Sequence, residues 1–174
     1  MKKLFYFILF TSQLTISQEV LKNSFDDIYQ SNGLIYRKGT NELFTGTIEF
    51  YRNEEVLNRK LVYNEGYLES ETFFHNNSKE LKPNFEFTYH KEKTNPDTKE
   101  FTVASRKHYD KNGVLRHHNQ YSKNGKLEKR QYFTKNGKIR SQTEYKEGVK
   151  HGKDIFYRKE KECCKLYENG QRIK

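Results

Sequence analysis

Hydrophobic residues are scarce in this chain. They make up 33% of its 174 residues, against 32% charged, and the mean hydropathy is −1.12. That balance works against a thick globular core, because little apolar surface is on hand to offset the entropy of ordering the chain. Tryptophan is absent, methionine occurs once and proline twice. The two cysteines, Cys163 and Cys164, are adjacent. A bridge between neighbours is strained, and in a strand their side chains leave by opposite faces. The chain therefore has no disulfide framework, and a metal site is not expected of this pair. No apolar run approaches the roughly 20 residues that span a bilayer. No phosphate-binding Gly-rich loop, HExxH or GxSxG occurs. The histidines, at 75, 90, 108, 117, 118 and 151, are scattered. His117 and His118 face oppositely on a strand and cannot chelate together, and Asp26-Asp27 and Glu54-Glu55 fail in the same way as paired carboxylates. Catalytic residues, metal ligands, cofactors and a small-molecule substrate are not expected, and the chain is not read as an enzyme.

What the chain does have is aromatic residues. Thirteen tyrosines and thirteen phenylalanines make up 15% of it. Each can bury roughly 150–250 Å². A thin sheet with aromatic ribs fits this composition better than a disordered chain or a thick core.

Residues 1–17 read as a secretory signal peptide. Lys2 and Lys3 form a basic start, Leu4 to Phe10 is unbroken apolar, and Thr15 and Ser17 are small enough to flank a cleavage site before Gln18. No cysteine lies near that site, so a lipoprotein anchor is not indicated. The expected location is periplasmic or extracellular, with no transmembrane anchor. Residues 18–33 form a less patterned lead-in, in which Val20 to Tyr29 could be a short helix or an extended segment.

A repeat decides the fold. Tyr109-Asp-Lys-Asn-Gly-Val-Leu115, Tyr121-Ser-Lys-Asn-Gly-Lys-Leu127 and Phe133-Thr-Lys-Asn-Gly-Lys-Ile139 recur at a spacing of twelve, and Tyr145 and Tyr157 continue it. Asp110, Ser122 and Thr134 open turns of type I, and Gly113, Gly125 and Gly137 take the last, positive-φ position. This is the three-residue hairpin loop with a glycine bulge. It pairs Tyr109 with Leu115, Tyr121 with Leu127 and Phe133 with Ile139. Because twelve is even, successive ribs are expected to stack on one apolar face. A second unit aligns Tyr63-Asn-Glu-Gly66 with Tyr145-Lys-Glu-Gly148 and turns at Glu-Gly, and the last hairpin turns at Asn169-Gly170. Residues 83–105 depart from the repeat and read as a longer inserted hairpin around a polar loop, Lys91 to Lys99.

These residues resemble the MORN-variant repeat, in the form found in bacterial proteins often labelled YwqK-like toxin–antitoxin system antitoxin components. The match is carried by Gly33-Leu34-Ile35-Tyr36, by Leu43-Phe44-Thr45-Gly46 running into Phe50-Tyr51, by Tyr63-Asn-Glu-Gly66, by the three Lys-Asn-Gly turns, and by Gly152 running into Phe156-Tyr157. The resemblance covers a repeat domain from about residue 34 to 174, apart from the insert. It implies an all-β fold, an elongated single-layer antiparallel sheet of successive β-hairpins. It implies little about function, because the antitoxin label is largely inherited by similarity; an exported chain would suit an immunity protein.

Charge supplies the remaining feature. Residues 19–100 hold 11 Lys and Arg against 15 Asp and Glu, whereas residues 101–174 hold 20 against 8, a net of +12. The tentative binding surface is basic and aromatic: Arg116, Tyr121, Lys126, Lys129, Arg130, Lys138 and Arg140, within a wider basic set that includes Arg106, Lys107, Lys123 and Lys135. Such a surface suits an acidic protein, an anionic membrane or nucleic acid. Export makes nucleic acid the least favoured of the three. The expected function is a non-catalytic protein-interaction module, antitoxin- or immunity-like. The alternative is an envelope-associated structural protein that contacts anionic lipid.

Overall fold

The structure is a computed structural model that describes residues 19–76, 80–91, 101–158 and 161–174, apart from the side chain of residue 161. The segment read as a signal peptide and most of the polar loop after Lys91 lie outside the described residues. No helix occurs among the described residues, which form fourteen strands. In chain order these are β1 (Glu19–Lys22), β2 (Ile28–Ser31), β3 (Leu34–Arg37), β4 (Gly46–Arg52), β5 (Val56–Asn64), β6 (Tyr67–Phe74) and β7 (Pro83–Tyr89). They continue as β8 (Val103–Tyr109), β9 (Leu115–Tyr121), β10 (Leu127–Phe133), β11 (Ile139–Lys146), β12 (Val149–Arg158), β13 (Lys161–Glu168) and β14 (Gln171–Arg172). Twelve of them build one open sheet in the order β1, then β4 to β14 in sequence, while β2 and β3 form a separate hairpin. Every neighbouring pair is antiparallel except β1 with β4.

The lead-in is extended rather than helical. Its strand β1 pairs with β4 from Glu19 opposite Gly46 to Lys22 opposite Glu49. The approach is close: a Cβ on Gly46 would lie 2.8 Å from the Glu19 carbonyl oxygen and 2.8 Å from the Phe44 ring. Asn32-Gly33 then turns β2 into β3, both residues having positive φ, as at Glu65-Gly66, Glu147-Gly148 and Asn169-Gly170. These two-residue loops match the twist of the strands they join. Residues 83–105 interrupt the repeat but not the sheet, since β7 pairs with β6 and β8 pairs with β9.

The three Lys-Asn-Gly loops close as their sequence dictates. The Gly113, Gly125 and Gly137 amides donate to the carbonyls of Asp110, Ser122 and Thr134 at 2.9, 2.9 and 3.1 Å. Their φ values are 80, 73 and 74°. The Asp110, Ser122 and Thr134 side chains each accept the N–H four residues on, from Val114, Lys126 and Lys138. The expected pairs form: Tyr109 opposes Leu115, Tyr121 opposes Leu127 and Phe133 opposes Ile139.

The ribs do not share one face. Each returning strand carries one further unpaired residue, Arg116, Glu128 or Arg140, so that His108 opposes His117 although Tyr109 opposes Leu115. A bulge of this kind shifts the in–out alternation by one. Successive ribs therefore alternate. Tyr109 lies on the lower face, where its hydroxyl donates to Glu86 at 3.0 Å. Tyr121 lies on the upper face, where Asn119 donates to its hydroxyl at 3.1 Å. By the same pairing Phe133 and Tyr157 are lower and Tyr145 is upper.

This alternation leaves the apolar core at one end. The buried apolar side chains are Ile28, Phe44, Ile48, Leu57, Leu61 and Tyr63, of which Phe44, Ile48 and Leu61 are fully buried. The β2–β3 hairpin lies over the upper face of β4 to β6, and Ile28 and Ile35 pack on Ile48, Leu61 and Tyr63. Arg37 of the hairpin pairs with Glu19 of β1. Beyond Glu71 no described residue is buried, and the sheet is a single layer.

Candidate functional site

Cross-strand register sets two rows of side chains on the upper face beyond the overlying hairpin. The first is Phe85, His108, His117 and Tyr132, one from each of β7 to β10. Its rings touch in series, with centroids 4.7, 5.5 and 4.7 Å apart; Phe85 and His108 are stacked and the later contacts are edge-on. The second row is Phe87, Arg106, Asn119 and Arg130. The Arg106 guanidinium sits 4.9 Å from the Phe85 ring centroid and 5.6 Å from that of Phe87, and Arg130 sits 5.8 Å from that of Tyr145. Guanidinium over an aromatic face is attractive and leaves the N–H edge turned outward.

Two shallow hollows meet at Arg106. One, of about 250 Å³, is lined by Phe85, Arg106, His108, His117 and Asn119. The other, of about 360 Å³, is lined by Phe87, Val103, Arg106, Tyr121 and Gly125. Neither Arg106 nor Arg130 forms an ion pair with a described residue. The upper-face acids on either side are already engaged. Glu71 accepts from Arg59 at 2.5 Å and from Tyr89 at 2.8 Å. Asp154 accepts from Thr143 at 2.8 Å and from Lys150 at 3.1 Å.

The surplus of positive charge acts on the two imidazoles. Burial depresses the pKa of His108, and His117, Arg106 and His75 press it further down against Asp110. Burial also depresses that of His117, followed by Arg116, Arg130 and Arg106. Both rings are thus held toward their neutral form. The lower face is built differently. Glu86 faces Lys107 and accepts its ammonium at 2.7 Å, and Lys129 stands opposite Glu144. Gln131 donates to Gln142 at 2.9 Å. That face is a polar ladder in which acids stand in the rows of the lysines.

The tentative basic surface is therefore divided. Tyr121 and Arg130 lie on the upper face, and Lys129 lies on the lower. Lys126 and Lys138 stand at the bulged loops, and Arg116 and Arg140 are the extra residues of the strand bulges. The sequence reading missed Phe85, His108, His117, Asn119 and Tyr132 as a group, because they meet only across strands. The signal that could have found them is the pairing register, once the second bulge is placed. Cys163 is half-buried and Cys164 exposed; they stand opposite Phe156 and Ile155, on the two different faces. No group of three or more His, Cys, Asp or Glu side chains that could hold a metal lies among the described residues. No described helix is long and apolar enough to cross a membrane. No protein-family model matches this chain, and no curated protein matches it.

Proposed function

We propose that this is an exported, non-catalytic repeat protein of the MORN-variant kind that works as a protein-interaction module, antitoxin- or immunity-like, through the upper face of β7 to β11. The observation that carries this reading is the ring–cation face, on which neither Arg106 nor Arg130 forms an ion pair with a described residue, the acids of their row, Glu71 and Asp154, being engaged by other partners. Stacking on the rings accounts for the guanidinium groups but not for their lack of counter-charge, whereas a binding surface uses such cations for steering and specificity. The acids nearest this face are consumed in structural contacts, which leaves no pair for general acid–base work.

The test places a photo-crosslinking residue at Asn119 on the upper face and, separately, at Gln131 on the lower face, in the full chain expressed in its native cell. A discrete protein adduct at position 119 and none at 131 is the expected result. Adducts at both positions alike, or at neither, would overturn the reading. Export is tested by mass spectrometry of the envelope fraction, with Gln18 the expected first residue. The anionic-lipid alternative draws on the net +12 of residues 101–174. It is the weaker reading, because the basic side chains are spread over two faces and the loops and present no single plane to a bilayer.

A further inference from the structure

Resting on that interaction reading, we propose the chemistry of the partner: an acidic, extended polypeptide segment in a polyproline-II-like conformation, laid across β8 to β10 with carboxylates seated on Arg106 and Arg130. Three observations lead there. Arg106 and Arg130 stand on one cross-strand row two strands apart, with Asn119 between them. At about 4.7–4.9 Å per strand step, their backbones are roughly 9–10 Å apart, and the guanidinium groups, which lean toward rings on β7 and β11, stand wider than that. A polyproline-II segment rises about 3.1 Å per residue with three residues per turn, so acids at every third residue line one side in steps of about 9 Å, and one or two such steps bridge the two guanidinium groups. A β-strand ligand, by contrast, puts i and i+3 on opposite sides.

The guanidinium of Arg106 is propped on the rings of Phe85 and Phe87, and that of Arg130 on Tyr145. Held in this way, each offers its N–H edge to a planar acceptor, which suits bidentate carboxylate binding. The parallel row Phe85, His108, His117 and Tyr132 gives the segment a ring-lined track, the kind of surface on which polyproline-II ligands dock. The β2–β3 hairpin raises a step roughly 10 Å high on the same face, the usual spacing of packed layers. A slender chain lies at the foot of such a step more readily than a flat bilayer does.

Capture should be coupled to protons. The charged and titratable groups facing His108 are Arg106 and Asp110 of its own chain stretch, His117 of β9 and His75 beyond β6. Those facing His117 are Arg116, Arg106 of β8 and Arg130 of β10, with Tyr132 against its ring. Apart from Asp110, whose carboxylate is held by its own loop amides, no anion among the described residues offsets the cations at these two rings. Incoming carboxylates reverse that balance and favour the charged imidazoles, so the complex takes up protons and tightens as the pH falls.

The experiment is fluorescence anisotropy with the mature protein and a labelled (Glu-Pro-Pro)₄ peptide, run from pH 7.5 to 5.5. Parallel arms use a peptide with glutamates at every second position, a single-stranded DNA oligonucleotide, and vesicles containing phosphatidylglycerol. Saturable binding of (Glu-Pro-Pro)₄ is expected, several-fold tighter than the alternately spaced peptide. It should tighten toward low pH by up to roughly tenfold per pH unit for each proton taken up. Arg106→Gln with Arg130→Gln should weaken it at least tenfold, whereas Lys129→Gln with Arg140→Gln, which removes the same charge elsewhere, should change it less than threefold. His108→Asn with His117→Asn should flatten the pH dependence. Melting curves of each variant confirm that it is folded. The proposal is overturned by non-saturable peptide binding, by equal losses in the two double variants, or by tighter binding of DNA or vesicles than of the peptide. A position-119 adduct without peptide binding would overturn this inference alone; loss of both would remove the interaction reading as well.

Discussion

Removing the same three carbons from Leu61 and from Leu127 should have unequal consequences. Leu61 is 2% exposed and packs with Ile48 and Tyr63 beneath the β2–β3 hairpin. At about 0.8 kcal/mol per buried methylene, the transfer loss of Leu61→Ala is about 2.4 kcal/mol. A residual cavity adds to this, which places the total at about 3–4 kcal/mol. Leu127 is only half-buried in a single layer with no second sheet above it. Roughly half the transfer loss applies there, and water fills the space, so Leu127→Ala should cost about 1 kcal/mol. Urea unfolding followed by circular dichroism checks the totals, and hydrogen exchange resolves where the stability lies. Amides of β4 to β6 should exchange only through global opening, and those of β10 to β13 through cheaper local opening, because the buried apolar contacts are concentrated at β4 to β6. Equal destabilisation by the two substitutions, or stronger protection in β10 to β13, would refute the claim that one end holds the sheet together.

Three further outcomes follow from local geometry. Gly137→Ala meets no atom within 4 Å but keeps a φ of +74°, so it should cost about 1–2 kcal/mol from backbone strain alone. Gly46→Ala should cost more and release β1, seen as loss of exchange protection confined to residues 19–22, because its Cβ meets the Glu19 carbonyl. Arg59→Ala leaves the buried Glu71 carboxylate with only the Tyr89 hydroxyl and should destabilise by about 1–3 kcal/mol in a thermal melt, whereas Arg59→Ala with Glu71→Gln should recover part of that loss. Stability without ligand should fall as the pH drops below about 6.5, since His108, His117 and His118 all have depressed folded pKa values and the unfolded chain binds protons first. A second loss should follow below about 4.5. Burial works to raise the Glu86 pKa, but hydrogen bonds from Lys107 and Tyr109 outweigh it and hold it low, so that contribution is present above the ordinary carboxylate range and disappears beneath it. A pH-independent melting temperature from 7.5 to 4 would contradict both.

The turns were legible because their chemistry is local. Asp110, Ser122 and Thr134 with the glycine three residues on specify a loop without reference to the rest of the chain, and the rib pairs follow from the loop. The face of each rib was not legible, because it depends on a bulge at Arg116, Glu128 or Arg140 that no turn residue announces. A one-residue slip moves every later side chain to the other face. The same slip hid the candidate site: in sequence His108 and His117 are nine apart with a loop between them, and only the bulged register sets them opposite each other. Asn32-Gly33 carried a hairpin signal of the same kind as Asn169-Gly170, but lay in a stretch too poorly patterned for its flanking strands to be recognised.

Alternating ribs impose a choice on a thin sheet. With aromatics on both faces and no second layer beyond β6, neither face can be closed, so each must be made compatible with water by charge. The lower face does this with the Glu86–Lys107 pair and with Glu144 placed in the row of Lys129. The upper face uses arginine over rings, at Arg59, Arg106 and Arg130. Arg59 lies 5.6 Å from the Phe50 centroid and 5.4 Å from that of Phe73, much as Arg106 lies over Phe85 and Phe87. The two differ in their counter-charge. Arg59 beside the core has Glu71, whereas Arg106 has Asn119 across from it and Arg130 beyond. Shielding the rings accounts for the guanidinium in both places, but not for the missing acid in the second. Where the partner carboxylate is inside the chain the contact is structural; where it is absent, the same geometry is left ready for a carboxylate from another molecule.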